Sequence, residues 1–430
     1  MKGKTAALGA MAGLAALTAA QTAAAQTIEW WNQGDATVTA FSEKVAADFA
    51  GADIEPQVYP NEAYKTVVQV AIGAGNEPDV FFVWGGDHTF RFVRTDKLRD
   101  VTDAALAAGI SPALLAPYSP DGERAYGMPL TQHTVAFLYN QPMFERFDLQ
   151  PPETLDDLET ICRAIRAADS DIVPISFGAK EPWTIGHYLT MLFHRFVPED
   201  VRRKDDALAG DPDELYTHPG YVQGLEALRG LQDAGCFNRG INSVAPEEAR
   251  AFFALEISAM TFCGTWCLDP VDADGLKDRY SLFPMPAVPG AAGNQEAVFV
   301  VPEGFAISDS AADPESAEAL LAYIFSPEVQ ADMVRTLKRM PVNAASLGLV
   351  DTTRVFAEAV ALTANAPSTV MAADMTMDNA VGREMNSSAQ DFVNRAKSAE
   401  EVMAGLRRTA QRAKARRERQ ASLQYSAPGQ

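Results

Sequence analysis

Residues 78–87, PDVFFVWGGD, constrain the fold more than any other stretch. Apolar β-formers run without a polar break, as in a strand buried on both faces, and stop at two glycines and an acid. In an open α/β sheet the carboxyl end of such a strand is where ligands are held, because glycine lets backbone approach a small molecule closely. The flanking segments extend the pattern. Residues 27–31 and 54–59 read as strands and 37–49 and 62–74 as helices, an alternation that implies crossover units and a mainly parallel sheet with helices on both faces. The fold class is α/β.

A second block follows YGMPL at 126–130. Residues 131–139 are extended and alternating, and Thr154 caps a helix whose Leu155, Leu158, Ile161, Cys162 and Ile165 form an apolar stripe. Short strands at 173–177 and 259–262 are separated by helices near 183–196 and 221–234. Further on, 281–288 is rich in proline, 297–308 reads as a strand with a turn, and 314–325 is helical. Ser326-Pro327-Glu328 opens another helix with a capping serine, LKRMPVN at 337–343 breaks it, and 355–419 is helical by composition. No repeat and no long flexible linker divides the chain, as expected of two lobes joined by several crossings.

The N-terminus carries Lys2 and Lys4, an Ala/Leu/Gly-rich core at 6–20, and small residues at Ala23 and Ala25. This is the order of a secretory leader cleaved after Ala25, and no cysteine stands at the junction to carry a lipid. A periplasmic protein is implied, and no later stretch has the roughly 20 apolar residues a membrane span needs. About 405 residues remain, enough for two domains with substantial cores. The leader's two lysines subtracted from 36 Lys and Arg, against 57 Asp and Glu, leave the mature chain at −23. Such an acidic surface excludes nucleic acid and anionic membrane as partners and suits a monomer. The cysteines at 162, 236, 263 and 267 allow three full pairings in an oxidising compartment. CGTWC is neither a redox CxxC nor part of a zinc pattern, so structural roles are expected, as buried thiols or one disulfide.

Enzyme signatures are missing: the chain has no HExxH, no GxSxG and no phosphate loop, and GAGNEP from Gly73 is not a dinucleotide fingerprint. No cofactor or metal is implied. The five histidines are scattered, and His133, on an alternating strand, reads as a ligand-facing or core hydrogen bonder rather than a metal ligand. Aromatic and polar groups gather instead near predicted strand ends, at 30–35 (WWNQGD), 84–87 (WGGD), 180–183 (KEPW) and 264–266 (GTW). A sugar offers apolar C–H faces and a rim of hydroxyls, which flat rings, carboxylates, amides and lysine suit. Each tryptophan taken singly also fits core packing. Asp87 equally fits a cap on the helix that follows it, and Asp378, in DMTMDNAV, reads as solvated.

In their order and spacing these segments, with YGMPLTQHTVAFLYNQPMFERFDLQPPETLDDLE, FPMPAVPG, VPEGFAISDSA, SPEVQADM and MPVN, make the mature chain resemble a family 1 extracellular solute-binding protein, the sugar-capturing component of ABC importers. The resemblance implies a two-lobed periplasmic binding protein fold with a ligand clamped at the hinge and delivered to permease subunits in the inner membrane. Crossings are then expected near 131–137, 286–297 and 341–349. The first lobe would take 26–132 and 296–343, the second 133–295 and 344–425, and 426–430 would be a disordered tail. By position, ligand contacts fall to Trp31, Asn32 and Asp35, to Trp84, Gly86 and Asp87, to Gln132 and His133, to Lys180 and Trp183, and to Trp266 and Asp378. Many relatives carry an acid where this chain has Gln132-His133, and a third glycine where it has Asp87. A polyol or glycerol phosphodiester is the alternative ligand, with Lys180 and Arg339 as the candidate cations. A glycan-processing enzyme would need a carboxylate pair from Asp35, Asp87 and Glu181, standing about 5–10 Å apart.

Overall fold

The alternation over 27–84 folds as read: β1 (Ile28–Gln33), helix Ala36–Asp48, β2 (Ile54–Tyr59), helix Asn61–Ala74 and β3 (Val80–Trp84). The computed structural model describes residues 27–426, so the expected leader and residues 427–430 lie outside the described part; Ser426 ends the last helix, Ala399–Ser426. β1 pairs in parallel with both β2 and β3, and all of β3 except Trp84 is buried, as two-sided helical cover requires. The remaining strands are β4 (Met128–Asn140), β5 (Val173–Ser176), β6 (Ser258–Gly264), β7 (Tyr280–Phe283), β8 (Val298–Ile307) and β9 (Thr369–Met371). Among the described residues all nine strands join one sheet in the order β2-β1-β3-β8-β4-β6-β5, with β7 beside β4 and β9 beside β8.

The sheet is mixed rather than mainly parallel. β5–β6 and β8–β9 are parallel, but β8 runs against β3 and β4, and β4 also runs against β6 and β7. The cause is the route of the chain: β4 carries it from one lobe to the other and β8 carries it back. One apolar core includes Met128 and Leu130 of β4 and Phe305, Ala306 and Ile307 of β8. A second includes Val135 and Phe137 of β4 and Phe299 and Val301 of β8. Between the two cores both strands turn polar, at Thr131-Gln132-His133-Thr134 and at Pro302-Glu303-Gly304. The change of core in β8 thus falls after Val301, later than the 295/296 boundary expected. A third passage follows Leu337, where Thr131 Oγ1 donates to Met340 O at 2.6 Å.

Several local readings are corrected. Residues 298–307 form one uninterrupted strand with no turn. Pro302 is tolerated there because the β3 ladder stops at Trp84–Glu303, one residue short of it, and its carbonyl accepts from Gly85 N at 3.2 Å. The helical stretch from 355 is interrupted by β9, where Pro367 and the β-branched Thr369-Val370 favour extended backbone. Thr154 caps its helix in a full capping box with Asp157, whereas Ser326 makes no side-chain cap bond. All four cysteines are paired, Cys162 with Cys236 and Cys263 with Cys267, where at most one disulfide was expected.

Candidate ligand-binding cleft

A cavity of about 420 Å³ lies where β4 and β8 pass between the cores, within the range of about 300–1,000 Å³ usual for small-molecule sites. The first lobe supplies Asp35, Lys65, Trp84 and His88, the floor is His133, Glu303 and Arg339, and the second lobe supplies Trp183, His187 and Trp266. Each tryptophan is placed by simple local rules. Trp84 ends the buried strand β3, and Trp183 opens the helix Trp183–Phe196. Trp266 sits in the turn closed by Cys263–Cys267 and lies flat over Gly264, where an added Cβ would come within 2.1 Å of the ring. Trp183 and Trp266 meet at 6.4 Å and 72°, and Trp266 meets the His133 ring edge-on at 5.0 Å. Lys65 Nζ stands 5.7 Å from the Trp84 ring and 5.9 Å from the Trp183 ring, so one cation faces aromatic rings of both lobes. Trp183 Nε1 is buried without a partner.

The floor is a buried polar chain. His133 Nδ1 lies 2.8 Å from Thr265 Oγ1 and Nε2 lies 3.2 Å from Glu303 Oε2, while Arg339 reaches the same carboxylate oxygen at 3.3 Å. Burial pushes the imidazole of His133 down, against the pull of Glu303, so the ring is neutral. Burial raises the Glu303 carboxyl, and its interactions with His133 first, then the charge of Arg339 and a hydrogen bond from Trp84, outweigh it, so Glu303 stays ionised. A neutral ring beside a carboxylate must carry its proton on Nε2, which leaves Nδ1 to accept from Thr265. Three crossing segments are therefore joined through His133, Glu303 and Arg339.

His187 is brought down to about 3, chiefly by burial and then by the charge of Lys65. A depressed histidine contributes stability above its ordinary value of 6.5 and loses it as pH falls toward the folded value. Compared with a His187→Gln variant, the native chain should lose about 1.4 kcal/mol per pH unit between about pH 6 and 4 in urea unfolding. Parallel pH profiles for the two proteins would contradict this burial of a neutral ring.

The expected site residues divide. Asp35, Trp84, His133, Trp183 and Trp266 line the cavity together. Asp35, exposed, also caps the helix Ala36–Asp48 by accepting from Thr37 and Val38. Trp31 belongs to the first core, with Nε1 bonded to Glu29 and its ring edge-on to Tyr59 at 5.3 Å. Asn32 is 1% exposed and spends its amide on Ser42 and on the Gln33 backbone. Gln132, half-buried opposite Pro302, and the exposed Lys180 are outside the lining. Gly86 has φ 73°, and an added Cβ would lie 2.1 Å from Met375 O; its glycine permits close approach of the lobes rather than of a ligand.

Asp87 and Asp378 are the clearest corrections. Asp87 does not cap its own helix; it takes both guanidinium nitrogens of Arg94, at 2.6 and 3.0 Å, and accepts from Asn379 N at 2.8 Å. Asp378 is buried rather than solvated, and accepts from Ala380 N, Arg416 and Arg417. Arg417 also reaches Asp87 at 3.2 Å, so the two carboxylates fasten the lobes and are not free for sugar hydroxyls. Sequence reasoning passed over Lys65, His187 and Glu303. A signal existed for His187, one helical turn after Trp183, and for Glu303, an acid inside an apolar strand run.

The profile of the bacterial extracellular solute-binding protein family matches residues 33–331. The multiple sugar-binding protein of Streptococcus mutans is 23% identical over 280 residues, which are 60% of this chain and 62% of that protein. Among solved structures, one from work on xylan utilization by Caldanaerobius polysaccharolyticus superposes with a TM-score of 0.80 at 18% identity, over 89% of this chain and 99% of that one. A chitin oligosaccharide binding protein superposes at 0.77 and 19% identity, over 87% and 94%. With the two lobes, the crossing strands and the cleft between them, these matches mean that the chain belongs to the family of bacterial extracellular solute-binding proteins.

Proposed function

We propose that the protein captures a saccharide in this cleft, as a periplasmic monomer released by cleavage of its leader, and delivers it to the permease subunits of an ABC importer. The observation that carries the reading is the pairing of Trp183 and Trp266 with the polar floor of His133, Glu303 and Arg339. Rings stack on the C–H faces of a sugar, and the unpartnered Trp183 Nε1, Asp35 and the floor meet its hydroxyls. The names of the relatives, a multiple sugar-binding protein and a chitin oligosaccharide binding protein, agree in ligand class. Ligand favours closure only through stronger binding to the closed arrangement. No covalent step is included. The glycan-processing alternative loses Asp87 as a partner carboxylate, since Arg94 and Arg417 occupy it, and the protein should release no reducing ends from any glycan.

A thermal-shift screen of refolded, ligand-stripped mature protein tests the reading, with mono- and oligosaccharides, polyols and glycerol phosphodiesters as probes. A ligand at 100 times its dissociation constant stabilises by about 2.7 kcal/mol, a readily seen shift. The expected result is a shift with one saccharide class. A shift with a phosphodiester or polyol and with no saccharide would overturn the ligand assignment.

A further inference from the structure

The two disulfides lie in different settings. Cys162 and Cys236 are both 0% exposed in the core of the second lobe. Cys263 and Cys267 both line the cleft, and Cys263 is only half-buried. The two bonds also differ in reach. Stabilisation by loop closure grows with the length of chain enclosed, so a bridge across 4 positions contributes less to the folded state than one across 74. What the short bridge restricts is the shape of its own loop.

That loop carries much of the cleft wall. Gly264 ends β6 and gives the Trp266 ring a seat that any Cβ would occupy. Thr265 Oγ1 donates to His133 Nδ1 at 2.8 Å. The Trp266 ring stands 5.0 Å from that of His133, 5.9 Å from that of His187 and 6.4 Å from that of Trp183. The two ends of the loop belong to different parts of the lobe. Cys263 pairs with Ala136 in the sheet, whereas Cys267 packs with Leu268 in a third core. Between them Gly264 precedes the turn Thr265–Cys267 with no side-chain cap, so apart from the disulfide the backbone there is a free joint.

We propose that the Cys263–Cys267 disulfide is a positioning element of the cleft: it holds the Trp266 ring on Gly264, facing Trp183, and makes saccharide affinity depend on the oxidation of this one bond. A dithiol reductant entering the cleft forms a mixed disulfide with one of the two cysteines and then leaves as its own cyclic disulfide. Two electrons and two protons pass to Cys263 and Cys267, which become thiols. The loop then opens and Trp266 loses its fixed orientation, while the buried Cys162–Cys236 bond is closed to the same attack. The effect on affinity rests on the saccharide reading; the placing of the ring does not.

The test labels the mature protein with 5-fluorotryptophan and reads its five ring signals by fluorine NMR without ligand, the Trp266 signal being the one missing from Trp266→Phe. The native chain is compared with Cys263→Ser/Cys267→Ser and with the native chain in dithiothreitol, of which an aliquot is alkylated and weighed to count the opened cysteines. Two alkylated cysteines are expected, with the Trp266 signal shifted or broadened in both altered samples and the Trp30 and Trp31 signals in place. Calorimetric titration with the saccharide found by thermal shift should show affinity weakened about fivefold or more in both. The cysteine changes should add less than about a twofold loss when made in Trp266→Ala. An equal loss in the two backgrounds would make the bond a general support of the lobe and overturn the positioning role. An unmoved Trp266 signal would overturn it too, whether or not a saccharide binds. Alkylation of all four cysteines, or of none, would overturn the redox dependence. A displaced Trp266 signal in a chain that binds no saccharide would retain the positioning role and reject the saccharide reading. If the serine variant fails to fold, the reduced native chain carries the comparison.

Discussion

Changing Trp183 and Trp266 together to alanine should weaken saccharide binding by about 2–6 kcal/mol, or about 30-fold at the least, with the folded state retained. Each ring is half-buried on the cleft wall, and losing a large aromatic contact to ligand costs about 1–3 kcal/mol. The double variant is the sharper test because the rings touch at 6.4 Å, so a single loss is open to partial compensation by the other. The fold should survive. Trp266 sits on a turn closed by a disulfide and packs, half-buried, only at the edge of two cores, and Trp183 begins its helix, so neither is a central core residue. Calorimetric titration reads the affinity and thermal unfolding reads the fold. Native affinity in the double variant would reject stacking, and a collapsed thermal transition would reassign the rings to packing.

The largest loss of stability should come from Arg195→Met. Arg195 is 1% exposed, and its guanidinium donates to Pro286 O at 3.2 Å, Asn294 O at 2.7 Å, Met285 O at 2.7 Å and Ala297 O at 3.3 Å. Burial brings it down to about 10, still charged at neutral pH. It thus ties the segment leading into β8 to the helix that begins with Trp183. Methionine fills part of the volume but leaves the carbonyls buried and unpaired, an expected loss of about 3–5 kcal/mol when unmatched acceptors each cost about 1–3. The midpoint of urea unfolding measures it. A midpoint equal to the native one would mean that those carbonyls are satisfied without Arg195.

How far the sequence reached depends on the range of the interactions involved. The strands at 54–59 and 80–84 and the helix at 183–196 are written in local patterns, because apolar runs, caps and glycine stops act over a few residues. The mixed sheet was not legible, since β8 pairs with β3 and β4 more than 150 residues earlier and no local rule sets strand direction across such a gap. Asp87 and Asp378 looked open for ligand because the partner they share, Arg417, lies 330 residues beyond the first of them, in the last helix. Trp31 was misassigned for a related reason: tryptophans beside a strand end are alike in sequence, and only the neighbouring Tyr59 on β2 marks this one as core. The cysteine pairing was hidden in the same way, since spacing alone does not bring Cys162 to Cys236.

The central claim is that a saccharide lies between Trp183 and Trp266 above the floor of His133, Glu303 and Arg339. A crystal structure of the mature protein grown with the saccharide that gives the largest thermal shift tests it most directly. The account predicts a sugar ring stacked on one or both tryptophans, with hydroxyls on the Trp183 Nε1 and Asp35 sides of the cleft. A saccharide bound elsewhere on the protein, with the cleft between the tryptophans empty, would contradict it.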